Sequence, residues 1–348
     1  MMPKKKDDDL FNEIAAQAEA IERDLRESKL TKEKRSTDTK YRLLKDKVAE
    51  LETELDAVKR IKDTDVFTIK PHKGHDGEAT AIALASDFHA EERVDPFTVN
   101  GLNAYTLDIA SERFNRFFVN VGRLIAAKKK SIAVNTLILA LLGDFITGNI
   151  HEELVETAQL PPIEAAIFVK NHLASGIRHL LDSTEVNIVL PCHSGNHGRI
   201  TKKQRHATER GNSLEYFVYH FLADYFVEEP RIKFVVAPGY HSIIDVQGFL
   251  IRFHHGHSIK FGGGVGGITI PVRKAIAQWN KSGPVQLDCF AHFHQLFYGG
   301  NFICNGAGIG YNAYALSIKA DFEKPRQGFF LVNHRRREVT DFSPVWLD

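Results

Sequence analysis

Cysteine is scarce in this chain. There are three, Cys192, Cys289 and Cys304, and none stands in a Cys-x-x-Cys spacing. That excludes a disulfide scaffold and a thiolate zinc site, and it suits a reducing compartment. An excess of one charge is lacking too. Lys and Arg number 45 against 44 Asp and Glu, for a formal net charge of +1, so a polyanionic partner would have to be met by a local patch. Long apolar runs are missing, and stretches such as Leu137–Leu142 are far too short to span a bilayer. No apolar segment follows the opening Met-Met-Pro-Lys-Lys-Lys-Asp-Asp-Asp, which argues against a secretory signal. The expectation is a soluble, cytoplasmic protein with no membrane contact.

Glycine is absent from residues 1–70, a segment with 17 Lys/Arg and 17 Asp/Glu. Helical stretches are expected over roughly 8–29 and 38–62. In the second, Tyr41, Leu44, Val48, Leu51, Leu55 and Val58 recur at alternating steps of three and four, the a/d seam that buries one stripe against a partner helix. Three readings stay open: packing on the chain's own larger domain, homo-oligomer formation through a coiled coil, or a docking arm for nucleic acid or protein. The segment 1–70 is taken as a charged helical extension and 78–348 as the main domain.

From about residue 78 short β-branched runs alternate with longer amphipathic ones. Strands are expected at Ala79–Ala85, Val134–Leu142, Val186–Pro191, Ile232–Ala237, Phe249–Phe253, Val285–Ala291, Phe302–Asn305 and Phe329–Val332, and helices over 102–129, 161–181, 213–227 and 271–280. Alternation of this kind indicates a layered α/β domain.

Histidine, at 17 residues, is the compositional excess, and many of these histidines stand where apolar runs stop. Loops at the carboxyl ends of strands converge on one crevice in layered α/β domains, so polar residues there can form a single site. Ser86-Asp87-Phe88-His89 follows the first run, with a carboxylate and an imidazole placed to ligate one ion. Gly143-Asp144-Phe145 follows the next, and one carboxylate can bridge two cations about 3.5–4 Å apart. Gly195-Asn196-His197-Gly198-Arg199 supplies an amide oxygen and an imidazole. His254-His255-Gly256-His257 and Ala291-His292-Phe293-His294 end two later runs. Taken singly, each motif also reads as a turn or as satisfied core histidines.

Their order, Asp-x-His, Gly-Asp, Gly-Asn-His, His, His-x-His, resembles that of the calcineurin-like metallophosphoesterase superfamily, which includes protein phosphatases, cyclic-nucleotide phosphodiesterases and DNA-repair nucleases. The resemblance covers roughly residues 79–306. It implies a four-layer α/β/β/α sandwich, to which this chain would add its N-terminal, coiled-coil-like extension. It further implies one metal on Asp87, His89, Asp144 and His294, and a second on Asp144, Asn196, His255 and His292. His197 would contact the phosphate and protonate the leaving group after attack by a hydroxide bridging the metals. His255 is preferred to His254 and His257 because the family's ligand directly precedes a Gly or Pro. Two positions depart from the family pattern: Gly198 stands where an acidic residue is usual, and Ala291 where glycine is. Whatever orients His197 must then come from elsewhere.

Two divalent cations would neutralise phosphoryl charge and lower the pKa of water. Mixed oxygen and nitrogen ligands suit Mn2+, Fe or Zn2+ better than Mg2+, and without a thiolate Mn2+ is favoured. Around the motifs, Arg199, Lys202, Lys203, Arg205, His206 and Arg210 form a basic run that could track a sugar-phosphate backbone. Arg199 and His151 are candidate substrate contacts. Phe261–Gly267, with five glycines, permits close approach to a ligand or a plain flexible loop. The favoured reading is a phosphodiesterase or nuclease acting on nucleic acid. A phosphomonoesterase on phosphoprotein or a small metabolite comes next, then a partner-binding scaffold built on the helical extension.

Overall fold

Alternate residues of strand β2 (Glu78–Ala85) face two different cores. Ala79, Ala81, Ala83 and Ala85 pack towards helices, while Ile82 and Leu84 pack towards a second sheet, as the two-residue strand period requires. The computed structural model describes residues 22–30, 38–49, 52, 67–69, 77–261 and 267–348. The chain divides into two compact units, Met1–Asp65 and Val66–Asp348.

In the larger unit, β2 lies between β3 (Ala133–Leu141) and β11 (Arg326–Asn333). With β4 (Asn187–Cys192), β5 (Ile232–Val236) and β12 (Glu338–Trp346) they form a sheet of order β12-β11-β2-β3-β4-β5. Strands β2 to β5 run parallel, and β11 is antiparallel to both its neighbours. The second sheet has the order β1-β6-β7-β8-β10-β9, from β1 (Phe67–Ile69), β6 (Ser242–Val246), β7 (Phe249–Phe253), β8 (Leu287–Phe290), β9 (Phe297–Tyr298) and β10 (Phe302–Cys304).

Helices Leu107–Lys128, Pro162–Ser183 and Leu214–Tyr225 bury Phe114, Phe117, Leu173, Ile177, Val218 and Leu222 against the outer face of the first sheet. Between the sheets lie Ile138, Ala140, Leu142, Ile251, Phe253, Ile303 and Phe330. Helix Thr269–Trp279 covers the far side through Val272 and Ile276, against Phe290 and Phe302. The result is helices, sheet, sheet, helix, the layering expected from the sequence.

Four strands escaped the sequence reading. β1 and β9 are too short to show a period. β6 enters β7 through Gln247-Gly248, both at positive φ (57° and 84°), a tight hairpin without the usual Asn-Gly signal. β12 contains Pro344, which an edge strand tolerates.

In the smaller unit, residues 22–30 and 38–49 are helical. Tyr41, Leu44 and Val48 of the expected seam are exposed (69%, 66% and 52%). Leu51, Leu55 and Val58 lie outside the described residues, as does Gly262–Gly266 of the glycine-rich stretch. Among the described residues, no helix is long and apolar enough to cross a membrane.

Candidate metal centre

Five strand-end loops meet at one edge of the sandwich. Asp87 and His89 follow β2, Asp144 follows β3, Asn196 and His197 follow β4, His255 follows β7, and His292 and His294 follow β8. The first two loops are laced by backbone bonds from Asp87 N to Gly143 O (3.0 Å), His89 N to Asp144 O (3.1 Å) and Ala90 N to Phe145 O (2.9 Å). Gly143 and Gly195 let the second and third loops touch. A Cβ on Gly143 would lie 2.2 Å from Gly195 N, and one on Gly195 would lie 2.0 Å from Asp144 Oδ1. Here glycine is required by contact.

Among the described residues three groups of donor atoms result, each mutually within 4.8 Å: Asp87, His89 and His294; His89, Asp144 and His197; Asp144, His255 and His292. The first and third share no residue, and His89 and Asp144 link them through the second. Asp144 Oδ2 lies 2.9 Å from His255 Nε2, which is 3.2 Å from Asn196 Oδ1. The other ring nitrogen of His255 faces Leu142 O at 2.6 Å, so Nδ1 carries a proton and Nε2 is the nitrogen turned to the centre. His254 points elsewhere, stacking on Phe290 and Tyr240 with Asp288 3.7 Å away.

Polar atoms here are buried without the partners that burial requires. Asp87 Oδ1 and His89 Nδ1 have no hydrogen-bond partner, and His294 Nε2 sits 3.4 Å from that same Asp87 oxygen. Burial alone would push the Asp144 carboxyl up, but His255, His197 and His89 hold it well below the usual range. Burial, with His197 nearby, drives His89 well below an ordinary imidazole. Without a cation, burial is outweighed by Asp144, which raises His255 to about 10, and by Asp87, which likewise raises His294. A divalent cation would replace those protons, and carboxylates, imidazoles and an amide oxygen converging on one point form a donor set that fits one.

The backbone is bent to deliver them. Asp87, His89, Asp144, His292 and His294 all have left-handed φ, at 52°, 45°, 53°, 75° and 56°. Such conformations cost non-glycine residues of order 1 kcal/mol or more and persist where surrounding structure enforces them.

His197 is half-buried. Its N donates to Asp144 Oδ1 (2.8 Å) and its Nδ1 faces Thr147 O at 3.1 Å. Thr147 O fixes the orientation of the His197 ring. Glu215, from helix Leu214–Tyr225, fills the space behind Gly198. Its Oε1 accepts from Phe145 N (2.6 Å) and Oε2 from Gly195 N (2.7 Å). Burial and the charge of Asp144 push its carboxyl up to about 8. Glu91 does the same at the next turn, where Oε1 accepts from Thr147 N and Gly148 N, both at 2.8 Å. Neither glutamate stood out in the sequence, since an acid in a helix's first turn or beside a motif is commonplace.

A cleft of about 1160 Å³ opens over His89, Asp144, Asn196, His197, His292 and His294. His151 lies on its rim, exposed, ahead of the short helix Glu152–Thr157. Arg199 turns back on its own loop, with Nη1 donating to Asn196 O and Nε to Thr201 O. Lys202, Lys203, Arg205, His206 and Arg210 are exposed outside the cleft lining.

No protein-family model and no curated protein matches the chain. Among solved structures it is similar to Vps29 of Chaetomium thermophilum, at 12% identity and TM-score 0.31, over 76% of this chain and 97% of that one. It is also similar to the sulfate thiohydrolase SoxB of Thermus thermophilus (9% identity, TM-score 0.29, 80% of this chain and 58% of that one). A phosphatase of Mycoplasma pneumoniae matches at 11% identity and TM-score 0.27, over 77% of this chain and 93% of that one.

Proposed function

We propose that the chain is a metal-dependent phosphoesterase that hydrolyses phosphate esters with two divalent cations, Mn2+ favoured. The observation that carries this is the meeting of donor atoms from five separate loops, with buried carboxylate and imidazole atoms left unpartnered. Asp87, His89, Asp144 and His294 would hold one cation, and Asp144, Asn196, His255 and His292 the other. When bound, such a pair supplies charge neutralisation for the phosphoryl oxygens and a water of lowered pKa.

The chain's own groups do the rest. Because Thr147 O can only accept, Nδ1 of His197 carries a proton and Nε2 is the atom free to exchange one with the substrate. That suits a general acid for the leaving alkoxide when Nε2 is protonated as well. Burial lowers the pKa of this imidazole and so works against that form in the metal-free protein, while Asp144 works for it. Asp144 Oδ1, by accepting from His197 N, ties the position of this imidazole to that of the donor set.

Two substrate classes have separate support. The exposed basic run beyond Arg199 supports a nucleic-acid strand, hence a phosphodiesterase or nuclease. The cleft walls support a compact ester: they carry Glu92, Asp95, Glu153, Glu156, Asp321 and Glu323 against Arg93, Lys319 and Lys324. A polyanion laid along those walls would meet more repulsion than attraction. We take the compact ester as the better-supported substrate because its evidence lies beside the donor set.

The test is turnover by Mn2+-loaded protein of bis-p-nitrophenyl phosphate against p-nitrophenyl phosphate, followed by labelled single- and double-stranded DNA. Cleavage of the small esters alone is the expected result. DNA cleavage would move the conclusion to the nuclease. Metal binding without any turnover would leave the partner-binding scaffold. Pairing of two copies through residues 38–62 is a separate proposal, tested by sedimentation of full-length and shortened protein.

A further inference from the structure

Of the carboxylates in the cleft wall outside the donor set, Glu92 is the one the fold has buried, at 8% exposure. Glu153, Glu156 and Asp321 are open to solvent, and Glu323 is taken up by Leu296 N and Arg326. Asp95 caps the turn Pro96–Val99. A buried carboxylate is ordinarily matched by a cation, since its desolvation otherwise costs several kcal/mol. Among the described residues no Lys or Arg pairs with Glu92, though the His294 imidazole stands near enough for its charge to act on it. Its side chain has one donor, the Asn312 amide, at 3.0 Å to Oε1.

The carboxyl is also held in place. Asn312 Oδ1 accepts from Ala315 N (3.0 Å) at the start of helix Ala313–Ser317. The Glu92 backbone N donates to His89 O (2.9 Å), and Glu92 bridges to Ala158 on the other side. An acceptor is therefore fixed in the same cleft as His197 and His294, beside Tyr311 and Tyr314.

We propose that Glu92, tethered by Asn312, is a specificity-determining residue that accepts a hydrogen bond from a hydroxyl or ammonium group on the organic part of the ester. This rests on the phosphoesterase reading and narrows its substrates to phosphate esters of small alcohols that carry a further donor. Apolar alcohols lack such a group. A phosphate at the donor set and a donor at Glu92 would fix the ester at two points, which sets its orientation towards His197.

The experiment measures binding of phosphoethanolamine, glycerol phosphate and inorganic phosphate to the Mn2+-loaded protein by calorimetry. It then measures kcat and KM for the two esters and for p-nitrophenyl phosphate. In Glu92→Ala, affinity for at least one donor-bearing ester relative to inorganic phosphate is expected to fall about tenfold or more, with KM moving rather than kcat. Glu92→Gln keeps an acceptor without its charge. Loss there of phosphoethanolamine alone assigns an ammonium, and retention of both esters a hydroxyl. Asn312→Ala frees the carboxyl and is expected to raise the same KM values by a smaller factor, which keeps the test open should Glu92→Ala fail to fold. Equal changes for all three ligands, or none, would overturn the assignment. If wild type turns over p-nitrophenyl phosphate while the variants match it throughout, only the role of Glu92 fails. If wild type neither binds phosphate nor hydrolyses any ester, the phosphoesterase reading has failed with it.

Discussion

Glu215 stands directly behind Gly198: a Cβ at 198 would come within 2.9 Å of Glu215 Cγ and 3.2 Å of its carboxyl carbon. The glutamate excludes a side chain at position 198. From that place it binds the amides of Phe145 and Gly195, on the two loops that present Asp144 and Asn196. Glu215→Gln would turn an NH2 group towards a backbone donor. The expected loss of stability is about 3 kcal/mol, read by urea denaturation, together with weaker metal binding. A variant as stable as the parent would show that the two amides do not depend on this carboxylate.

His197→Asn removes the proposed proton donor. Alkyl leaving groups need that proton and aryl ones do not, so the expected loss in kcat is about a hundredfold or more for an alkyl ester and much less for p-nitrophenyl phosphate. Equal losses on both would contradict the assigned role.

Metal removal should lower stability. The carboxylates of Asp87 and Asp144 are held at 0% and 1% exposure among histidines, and a cation that binds only the folded chain stabilises it by about 2.7 kcal/mol at a hundred times its Kd. The melting temperature should therefore rise when Mn2+ is returned to chelator-treated protein, and this gain should vanish in Asp144→Ala. A melting temperature indifferent to Mn2+ would count against the donor set.

Glu92 predicts a pH effect in metal-free protein. Burial raises its carboxyl from 4.5 to about 7, so the folded chain holds this proton more tightly than the unfolded one. Its contribution is complete below about pH 4.5 and is lost as pH rises through 7. Over that interval it amounts to about 3 kcal/mol. Glu92→Gln should flatten the decline in unfolding free energy between pH 5 and pH 8. Parallel curves for the two proteins would refute the shift.

The parts of this architecture that announce themselves in sequence are those with a strong period or a spaced motif. β2, β3, β4 and β7 could be read because apolar runs end at Asp87, Asp144, Gly195 and His255, and these loops do converge. Helices over 107–128 and 162–183 showed the amphipathic repeat. What could not be read depends on partners distant in the chain. Thr147 O serves His197 across 50 residues and Glu215 serves Phe145 across 70, and nothing local marks either. Arg199 was a candidate phosphate contact because of its neighbours, yet its guanidinium holds the Asn196 carbonyl. Distribution of charge around the opening also became visible only when residues 92–98, 151–157 and 310–324 were brought to one cleft.

The left-handed turns at Asp87, His89, Asp144, His292 and His294 imply that assembling the donor set and relaxing the backbone pull this chain in opposite directions. A lineage released from turnover would gain by drifting to glycine or asparagine at those five places, and each step would relax the polypeptide as it emptied the centre. Loss of activity would then register as a higher melting point of the metal-free protein, set against the stabilisation that a bound cation would have supplied.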